Sequence, residues 1–274
     1  MKCPKRMNKL IDEGIFLKLH EIKDSLINEG REIINLSVGS PDIPPARNVM
    51  DKLIEECAVE QNYRYAITDI AELRQAAADW YKRRFDVELD CDTEITSLLG
   101  SQEGLAHMCL ALTDPKDIVM VHNPGYPIYH AGPQIAQNEV YPMPCREGSA
   151  LIDFEKIPKK VTKKAKLMIV SYPNNPTTQI ADESFFEELA GFAKRNEIMV
   201  IHDNAYCELT YDGYKAGSFL QAEGAKEVGI EMNSLSKTYN LAGMRVGFAM
   251  GNKDMIKCIS SIKSHMDYGI FVPV

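Results

Sequence analysis

The sequence predicts an α/β protein with a mostly parallel central sheet and helices on both faces, and three observations lead to this prediction. Apolar runs such as IMVI at 198–201 recur along the chain almost uninterrupted by polar residues, as expected of strands buried on both faces. Segments with apolar residues at helical spacing separate these runs. Polar residues follow the runs directly, at the strand ends where such sheets bind ligands.

The elements can be assigned in order from these patterns. An amphipathic helix is predicted over 8–29, where Gly30 ends it, and a short strand is predicted at 32–39. Two amphipathic segments, 47–60 and 70–85, are predicted to be helices. The remaining segments alternate between the two types, with strands predicted in 94–100, 117–125, 166–176, 198–206, 229–237 and 245–251 and helices in 102–113 and 182–196.

Composition narrows the class of protein. The chain has 274 residues and is 45% hydrophobic, enough for one large domain and a smaller part. A net charge of −8 and a pI near 5.4 argue against nucleic acid or an anionic membrane as a partner. We find neither a secretory leader nor a membrane-spanning apolar run. Seven scattered cysteines without a CxxC pair predict reduced thiols in a cytoplasmic protein, with no metal site and no disulfide framework.

One stretch, SLSKTYNLAGMRVG at 234–247, places Lys237 and Arg245 in small-residue loops between two apolar strands. Two cations in that position predict that something anionic or electrophilic binds there. Each polar residue at the strand ends also has an ordinary interpretation. A lone aspartate such as Asp203 is more often a cap, NPGYP and YPNNPT are rich in turn formers, and His202 is expected to be a packing residue.

Taken together, the segments GSQEG, PGYP, YPNNPT, HDNAY and SLSKTYNLAGMRVG resemble the signature of the pyridoxal-phosphate-dependent aminotransferases of class I/II. Their order and spacing match over essentially the whole chain, and the resemblance extends to members that act on diaminopimelate or alanine. It implies a fold-type I transferase with pyridoxal 5′-phosphate as cofactor, an amino acid and a 2-oxo acid as substrates, and a homodimer.

The resemblance implies catalytic roles for three residues. Lys237 would hold the cofactor aldehyde covalently through its amine and, once released, move a proton at the substrate. Asp203 would keep the pyridine nitrogen of the cofactor protonated, because a neighbouring carboxylate favours the charged ring. Tyr206, together with Asn175, would donate hydrogen bonds to the 3′ oxygen of the ring.

The remaining roles implied by the resemblance concern binding. Arg245 would grip the phosphate, helped by hydroxyls and amides at a helix start. Tyr126 would stack on the ring, and Tyr65 would reach the phosphate across the dimer interface. Gly39 would lie against the substrate with its backbone, beside Asn175 and Tyr126. The additional phosphate ligands implied are Ser101, Gln102, Ser234 and Ser236.

The chain departs from the family pattern at several points. Thr178 replaces the usual glycine after NPT, ITDIA at 67–71 replaces a glycine-bearing loop, and Gln102 stands where diaminopimelate-specific members often have lysine. Members of the family continue well past YGIFVPV into a small domain with the arginine that binds the substrate α-carboxylate. We therefore expect a truncated form with an incomplete small domain and no counterpart of that arginine; were another residue of the chain to bind the carboxylate, Arg74 would be a weak candidate.

The expected domain division is 1–46 for an N-terminal arm and part of the small domain, 47–260 for the cofactor-binding domain, and 261–274 for a connection. Three functional interpretations stay open. The first is an aminotransferase, the second a catalytically silent protein that keeps the fold for assembly, and the third a β-lyase on the same scaffold. Lys237, Asp203 and Arg245 favour an enzyme, because a structural role does not need all three.

Overall fold

A computed structural model describes residues 4, 7, 10, 15–36 and 38–274, and its centre is a seven-stranded sheet. The predicted strand ranges are confirmed in 94–100, 117–125, 166–176, 198–206, 229–237 and 245–251, although each strand is shorter than the segment that carries it. The strands are β1 (Ile95–Leu98), β2 (Ile118–Val121), β3 (Glu139–Pro142), β4 (Ala165–Ser171), β5 (Met199–Asp203), β6 (Gly229–Ser234) and β7 (Gly247–Gly251).

The sheet has the strand order β1-β7-β6-β5-β4-β2-β3. The pairs from β6 through β3 are parallel, whereas β7 runs antiparallel to both of its neighbours, β1 and β6. The predicted α/β class with a mostly parallel sheet is therefore confirmed. The carboxyl ends of β4, β5 and β6 lie side by side, which is where the predicted polar residues begin.

Helices cover both faces of the sheet, so residues that alternate along one strand enter two different cores. On β4, Met168 and Val170 pack into one core and Leu167 and Ile169 into the other. The helices are α1 (Ile15–Asn28), α2 (Arg47–Cys57), α3 (Ala71–Phe85), α4 (Ser101–Leu112), α5 (Ile128–Ile135), α6 (Lys159–Thr162), α7 (Glu183–Asn196), α8 (Ala225–Val228), α9 (Leu235–Thr238) and α10 (Lys253–Met266). Within the described ranges, no helix has the length and apolar character needed to cross a membrane.

Several elements differ from the sequence-based expectation. The predicted strand at 32–39 is wrong for the residues described there, because 32–36 and 38–39 form no ladder and Ile34 and Leu36 are exposed. Of the predicted helix over 8–29, the part described beyond residue 10 is α1, and 8, 9 and 11–14 lie outside the described residues. The strand β3 and the helices α5, α6, α8, α9 and α10 were not predicted from the sequence.

A fully buried carboxylate, that of Glu231 on β6, joins four segments behind the sheet. It accepts hydrogen bonds from Tyr81 of α3 at 2.8 Å and from His202 of β5 at 2.8 Å. Asn204, the Ser218 hydroxyl and the backbone N–H of residue 219 donate as well. Burial alone would raise the pKa of Glu231, but these donors, led by His202, hold its pKa below the usual value.

The ring nitrogens of His202 both face acceptors: the Glu231 carboxylate and, at 3.0 Å, the carbonyl oxygen of Tyr172. His202 was expected to be ordinary packing beside Asp203; its ring is instead held by hydrogen-bond partners at both nitrogens, one of which is the buried Glu231 carboxylate.

We expect Glu231→Ala to lower the free energy of unfolding by about 3–5 kcal/mol, because it leaves several buried donors, among them the Tyr81 hydroxyl and the Asn204 amide, without an acceptor. Glu227→Ala is the control. Glu227 pairs with Lys194 on the surface, where such pairs contribute about 0–1 kcal/mol. Urea denaturation of both variants measures the difference, and equal losses would show that the Glu231 cluster does not join these segments energetically.

Candidate active site

A cavity of about 120 Å³ opens at the carboxyl ends of the parallel strands. Asp203 is the last residue of β5, Ser234 is the last residue of β6, and Asn175 follows the end of β4 in the next loop. The structure thus brings together ten of the residues predicted from the sequence. The lining consists of Ser101, Gln102, Tyr126, Tyr129, Asn175, Asp203, Ala205, Tyr206, Ser234, Ser236, Lys237 and Arg245.

Asp203 supplies the carboxylate of this site and is 6% exposed. Its Oδ2 accepts a hydrogen bond from the hydroxyl of Tyr129 at 2.8 Å, and its Oδ1 accepts a longer one, 3.4 Å, from the backbone N–H of Ala205. Burial raises the pKa of Asp203, and the hydrogen bond from Tyr129 opposes that rise. A buried carboxylate of this kind is suited to pair with a cationic group of a ligand.

Lys237 lies in the single helical turn α9, directly after β6. Its Nζ donates a hydrogen bond to the carbonyl oxygen of Gly39 at 2.6 Å. Burial, followed by the positive charge of Arg245, lowers the pKa of Lys237. A lowered pKa leaves more of the amine neutral near pH 7, and the neutral amine is the form that attacks a carbonyl.

The other cation, Arg245, faces the amino-terminal end of α4. Its Nη1 donates to the carbonyl oxygen of Ala242 at 3.0 Å, and its backbone has a positive φ of 58°. Gly100 precedes α4 with φ of 85°, and a Cβ there would stand 2.2 Å from Nη2 of Arg245. Only glycine leaves space for the guanidinium beside the free N–H groups of the helix start, an arrangement that suits an anion.

Hydroxyl groups complete this anion site. The Oγ of Ser234 accepts from the backbone N–H of Ser236 at 3.2 Å, which leaves the Ser234 hydrogen available to a ligand. Ser101 opens α4 itself. The site therefore offers a guanidinium, hydroxyls and backbone N–H groups within one cavity, which is the donor set that a phosphate group requires.

Two pairs of hydrogen-bonded side chains line the remaining walls of the cavity. Nδ2 of Asn175 donates to the hydroxyl of Tyr206 at 3.2 Å. The hydroxyl of Tyr126 donates to Oε1 of Gln102 at 2.8 Å, which fixes the tyrosine ring at the cavity wall. The first pair offers polar hydrogens to a ligand, and the second offers a flat aromatic face.

Two predicted residues lie outside the lining. Gly39 contacts the site through the hydrogen bond from Lys237, whereas the Tyr65 side chain is 86% exposed and packs edge-on against Tyr268. Arg74 does not line the cavity, since its guanidinium is bonded to the carbonyl oxygen of Asp69 and to the carboxylate of Asp92. Sequence reasoning missed Tyr129, although its position one helical turn after Tyr126 was an available signal.

The chemistry of this donor set fits one cofactor type. It combines an amine of lowered pKa, a buried carboxylate, an aromatic wall and a phosphate site formed by Arg245 and the start of α4. A phosphorylated aldehyde with a protonatable ring, pyridoxal 5′-phosphate, matches each of these features. Fold and site together are those of the fold-type I proteins that depend on pyridoxal phosphate.

Comparison with known proteins gives the family. The family model "Aminotransferase class I and II" matches residues 31–270, and the chain belongs to this family, whose members depend on pyridoxal phosphate. LL-diaminopimelate aminotransferase of Moorella thermoacetica is 48% identical over 247 residues, covering 89% of this chain and 63% of the relative. The enzyme of the same name from Dehalococcoides mccartyi (strain CBDB1) is 41% identical over 272 residues, covering 98% and 70%. The chain thus spans about two thirds of the length of these relatives.

Solved structures agree with this assignment. Apo-BacF from Bacillus subtilis superimposes with a TM-score of 0.95 at 37% identity, covering 100% of this chain and 70% of BacF. A probable N-succinyldiaminopimelate aminotransferase from Thermus thermophilus superimposes with a TM-score of 0.89 at 38% identity, covering 95% and 70%. The described fold therefore matches 70% of the length of each of these two solved chains.

We expect Gly100→Ala to weaken binding of pyridoxal phosphate by about 10- to 100-fold, because the new methyl group displaces the Arg245 guanidinium from the phosphate site. Gly148→Ala is the matched control: Gly148 also has a positive φ, 70°, but no atom lies within 4 Å of the added Cβ. Equilibrium dialysis with pyridoxal phosphate and with pyridoxal, which lacks the phosphate, measures the effect. A loss of affinity for both ligands alike would place the phosphate elsewhere.

Proposed function

We propose that this protein transfers an amino group between an amino acid and a 2-oxo acid with pyridoxal phosphate as cofactor. The observation that carries the proposal is the cavity in which Asp203, from the end of β5, converges with Lys237 and Arg245, from the segment that follows β6. When bound, the cofactor supplies an electron sink for negative charge that develops at the substrate α-carbon. The residues of the chain supply attachment, orientation and proton transfer.

Lys237 performs two tasks in this proposal. Its neutral amine, which the lowered pKa favours, would hold the cofactor covalently through the aldehyde carbon, whose oxygen would leave as water. When free of that link, the same amine would accept a proton at the substrate α-carbon and return it. The contact with the Gly39 carbonyl oxygen shows that the amine reaches the region between the cavity and the 38–43 loop.

The other residues hold the cofactor and set its charge. Asp203 keeps the ring nitrogen protonated by pairing with it inside a buried environment. Asn175 and Tyr206 donate hydrogen bonds to the ring oxygen, and Tyr126 covers one face of the ring. Arg245, Ser234 and Ser101 bind the phosphate.

For the substrate, we propose a diaminopimelate-type amino donor with 2-oxoglutarate as acceptor. The support is that both curated relatives described above carry the name LL-diaminopimelate aminotransferase, at 48% and 41% identity. Gln102, which replaces a lysine frequent in diaminopimelate-specific members, is bonded to the Tyr126 hydroxyl and so belongs to the cavity wall. The absorbance change of the cofactor on mixing with LL-diaminopimelate, L-glutamate or L-alanine ranks these donors.

We expect borohydride reduction of the protein with pyridoxal phosphate to fix the cofactor on Lys237, because reduction converts the covalent link into a stable secondary amine. Peptide mass spectrometry locates the adduct. Lys237→Ala is the test variant, and Lys226→Ala, which removes a surface lysine bonded to Glu94, is the control. An adduct on another lysine, or none in the wild-type protein, would contradict the proposed function.

We also propose a homodimer. Apolar side chains in the segment 63–70 are largely exposed, with Tyr63 at 64%, Tyr65 at 86% and Ile67 at 59%. A cluster of this kind is typical of an interface. A second copy of the chain covering this segment would bring the Tyr65 hydroxyl to the cavity of its partner, as the family resemblance implies.

We expect the protein to sediment as a dimer at micromolar concentration and Ile67→Glu to sediment as a monomer, because a charge in the interface core is desolvated without a partner. Ile180→Glu is the control, since Ile180 is also exposed but lies away from 63–70. Sedimentation velocity measures both variants. If Ile67→Glu and the wild type sediment alike, the segment 63–70 is not the interface.

A further inference from the structure

Asp203 has one short hydrogen bond among the described residues, and it comes from Tyr129. The Tyr129 side chain is 1% exposed and lines the cavity from α5. Its hydroxyl lies 2.8 Å from Oδ2, whereas the backbone N–H of Ala205 lies 3.4 Å from Oδ1. Burial, and then the charge of Asp203, raise the pKa of Tyr129 well above its usual value, so the hydroxyl remains a donor at every physiological pH.

Among the described residues, no other group donates a short hydrogen bond to the Asp203 carboxylate. His202, the neighbouring residue, has both ring nitrogens bonded elsewhere, to Glu231 and to the Tyr172 carbonyl oxygen. Five titratable groups interact electrostatically or by a hydrogen bond with Asp203: Tyr126, Tyr129, His202, Tyr206 and Glu231.

We propose that Tyr129 is a positioning residue that keeps Asp203 ionised and fixes its orientation toward the ring nitrogen of the cofactor. The proposal rests on the cofactor assignment of the proposed function. A hydroxyl that donates to a carboxylate stabilises the anion relative to the acid. Because the Tyr129 hydroxyl contacts the carboxylate itself, its removal acts on Asp203 directly.

The direction of the pH effect follows from the loss of this donor. Without the Tyr129 hydroxyl, the pKa of Asp203 rises further above its usual value. The carboxylate pairs with a protonated ring nitrogen only above its pKa, so this pairing is lost as pH falls through the pKa. In Tyr129→Phe, the loss of cofactor affinity should therefore begin at a pH about one unit higher than in the wild type.

The chain offers a matched control in Tyr81→Phe. Tyr81 is equally buried and also donates at 2.8 Å to a buried carboxylate, but that carboxylate is Glu231, which does not line the cavity. Both substitutions remove one buried hydroxyl from a carboxylate of the same sheet. If the role of Tyr129 is only structural, Tyr129→Phe and Tyr81→Phe should lose thermal stability and cofactor affinity to the same extent.

The measurement is the dissociation constant of pyridoxal phosphate, determined by equilibrium dialysis as a function of pH. We expect Tyr129→Phe to bind roughly fivefold more weakly at the pH midpoint of the wild type, and Tyr81→Phe to follow the wild-type profile. The analogue with carbon in place of the ring nitrogen is the ligand control. Without that nitrogen, wild type and Tyr129→Phe should have the same pH profile.

Each other outcome overturns the inference. A Tyr129→Phe profile that superimposes on the wild type shows that the hydroxyl does not set the charge of Asp203. A shift of equal size with the ring-carbon analogue, or in Tyr81→Phe, shows an effect of packing. If the wild type itself binds no pyridoxal phosphate and forms no adduct at Lys237, the proposed function fails and this inference with it.

Discussion

Both faces of the central sheet are covered, and this constraint decides where polar chemistry can occur in the molecule. Strands β4, β5 and β6 place successive apolar side chains into two separate cores, so their middle sections have no access to solvent. Their carboxyl ends are the places where polar side chains emerge together. Asp203 and Ser234 stand at two of these ends, and Asn175 stands in the loop after the third.

The register between β5 and β6 decides which face of the sheet each of the two buried carboxylates points to. His202 is opposite Glu231 and Asp203 is opposite Met232, so the two carboxylates point to opposite faces of the sheet. Glu231 faces the core that contains Tyr81, and Asp203 faces the core that contains Tyr129. One buried carboxylate therefore joins segments of the scaffold, while the other faces the cavity. The hydrogen bonds of His202 and Asn204 to Glu231 hold the strand on both sides of Asp203.

The two cations of the site depend on the loops that follow β6. Burial, and then the positive charge of Arg245, lowers the pKa of Lys237, which leaves more of its amine in the neutral, nucleophilic form. Arg245 reaches the start of α4 because Gly100 has no side chain to block it. An anionic ligand bound there would be held by charges and N–H groups that are already in place, with little rearrangement.

The amino-acid sequence by itself determined the α/β class, because long apolar runs report strands that are buried on both faces. Lys237, Asp203 and Arg245 could be named as candidate site residues because the segments that carry them resemble the signature of a known family. The chemistry of an amine nucleophile, a ring-pairing carboxylate and a phosphate ligand is consistent with those residue types. Only the tertiary structure decided the antiparallel direction of β7, the absence of a ladder at 32–36 and the bond between Tyr129 and Asp203. Strand direction leaves no local pattern, and Tyr129 and Asp203 are 74 residues apart along the chain. Their contact exists because α5 packs against the sheet beside the end of β5, and packing between distant segments cannot be read from spacing along the chain.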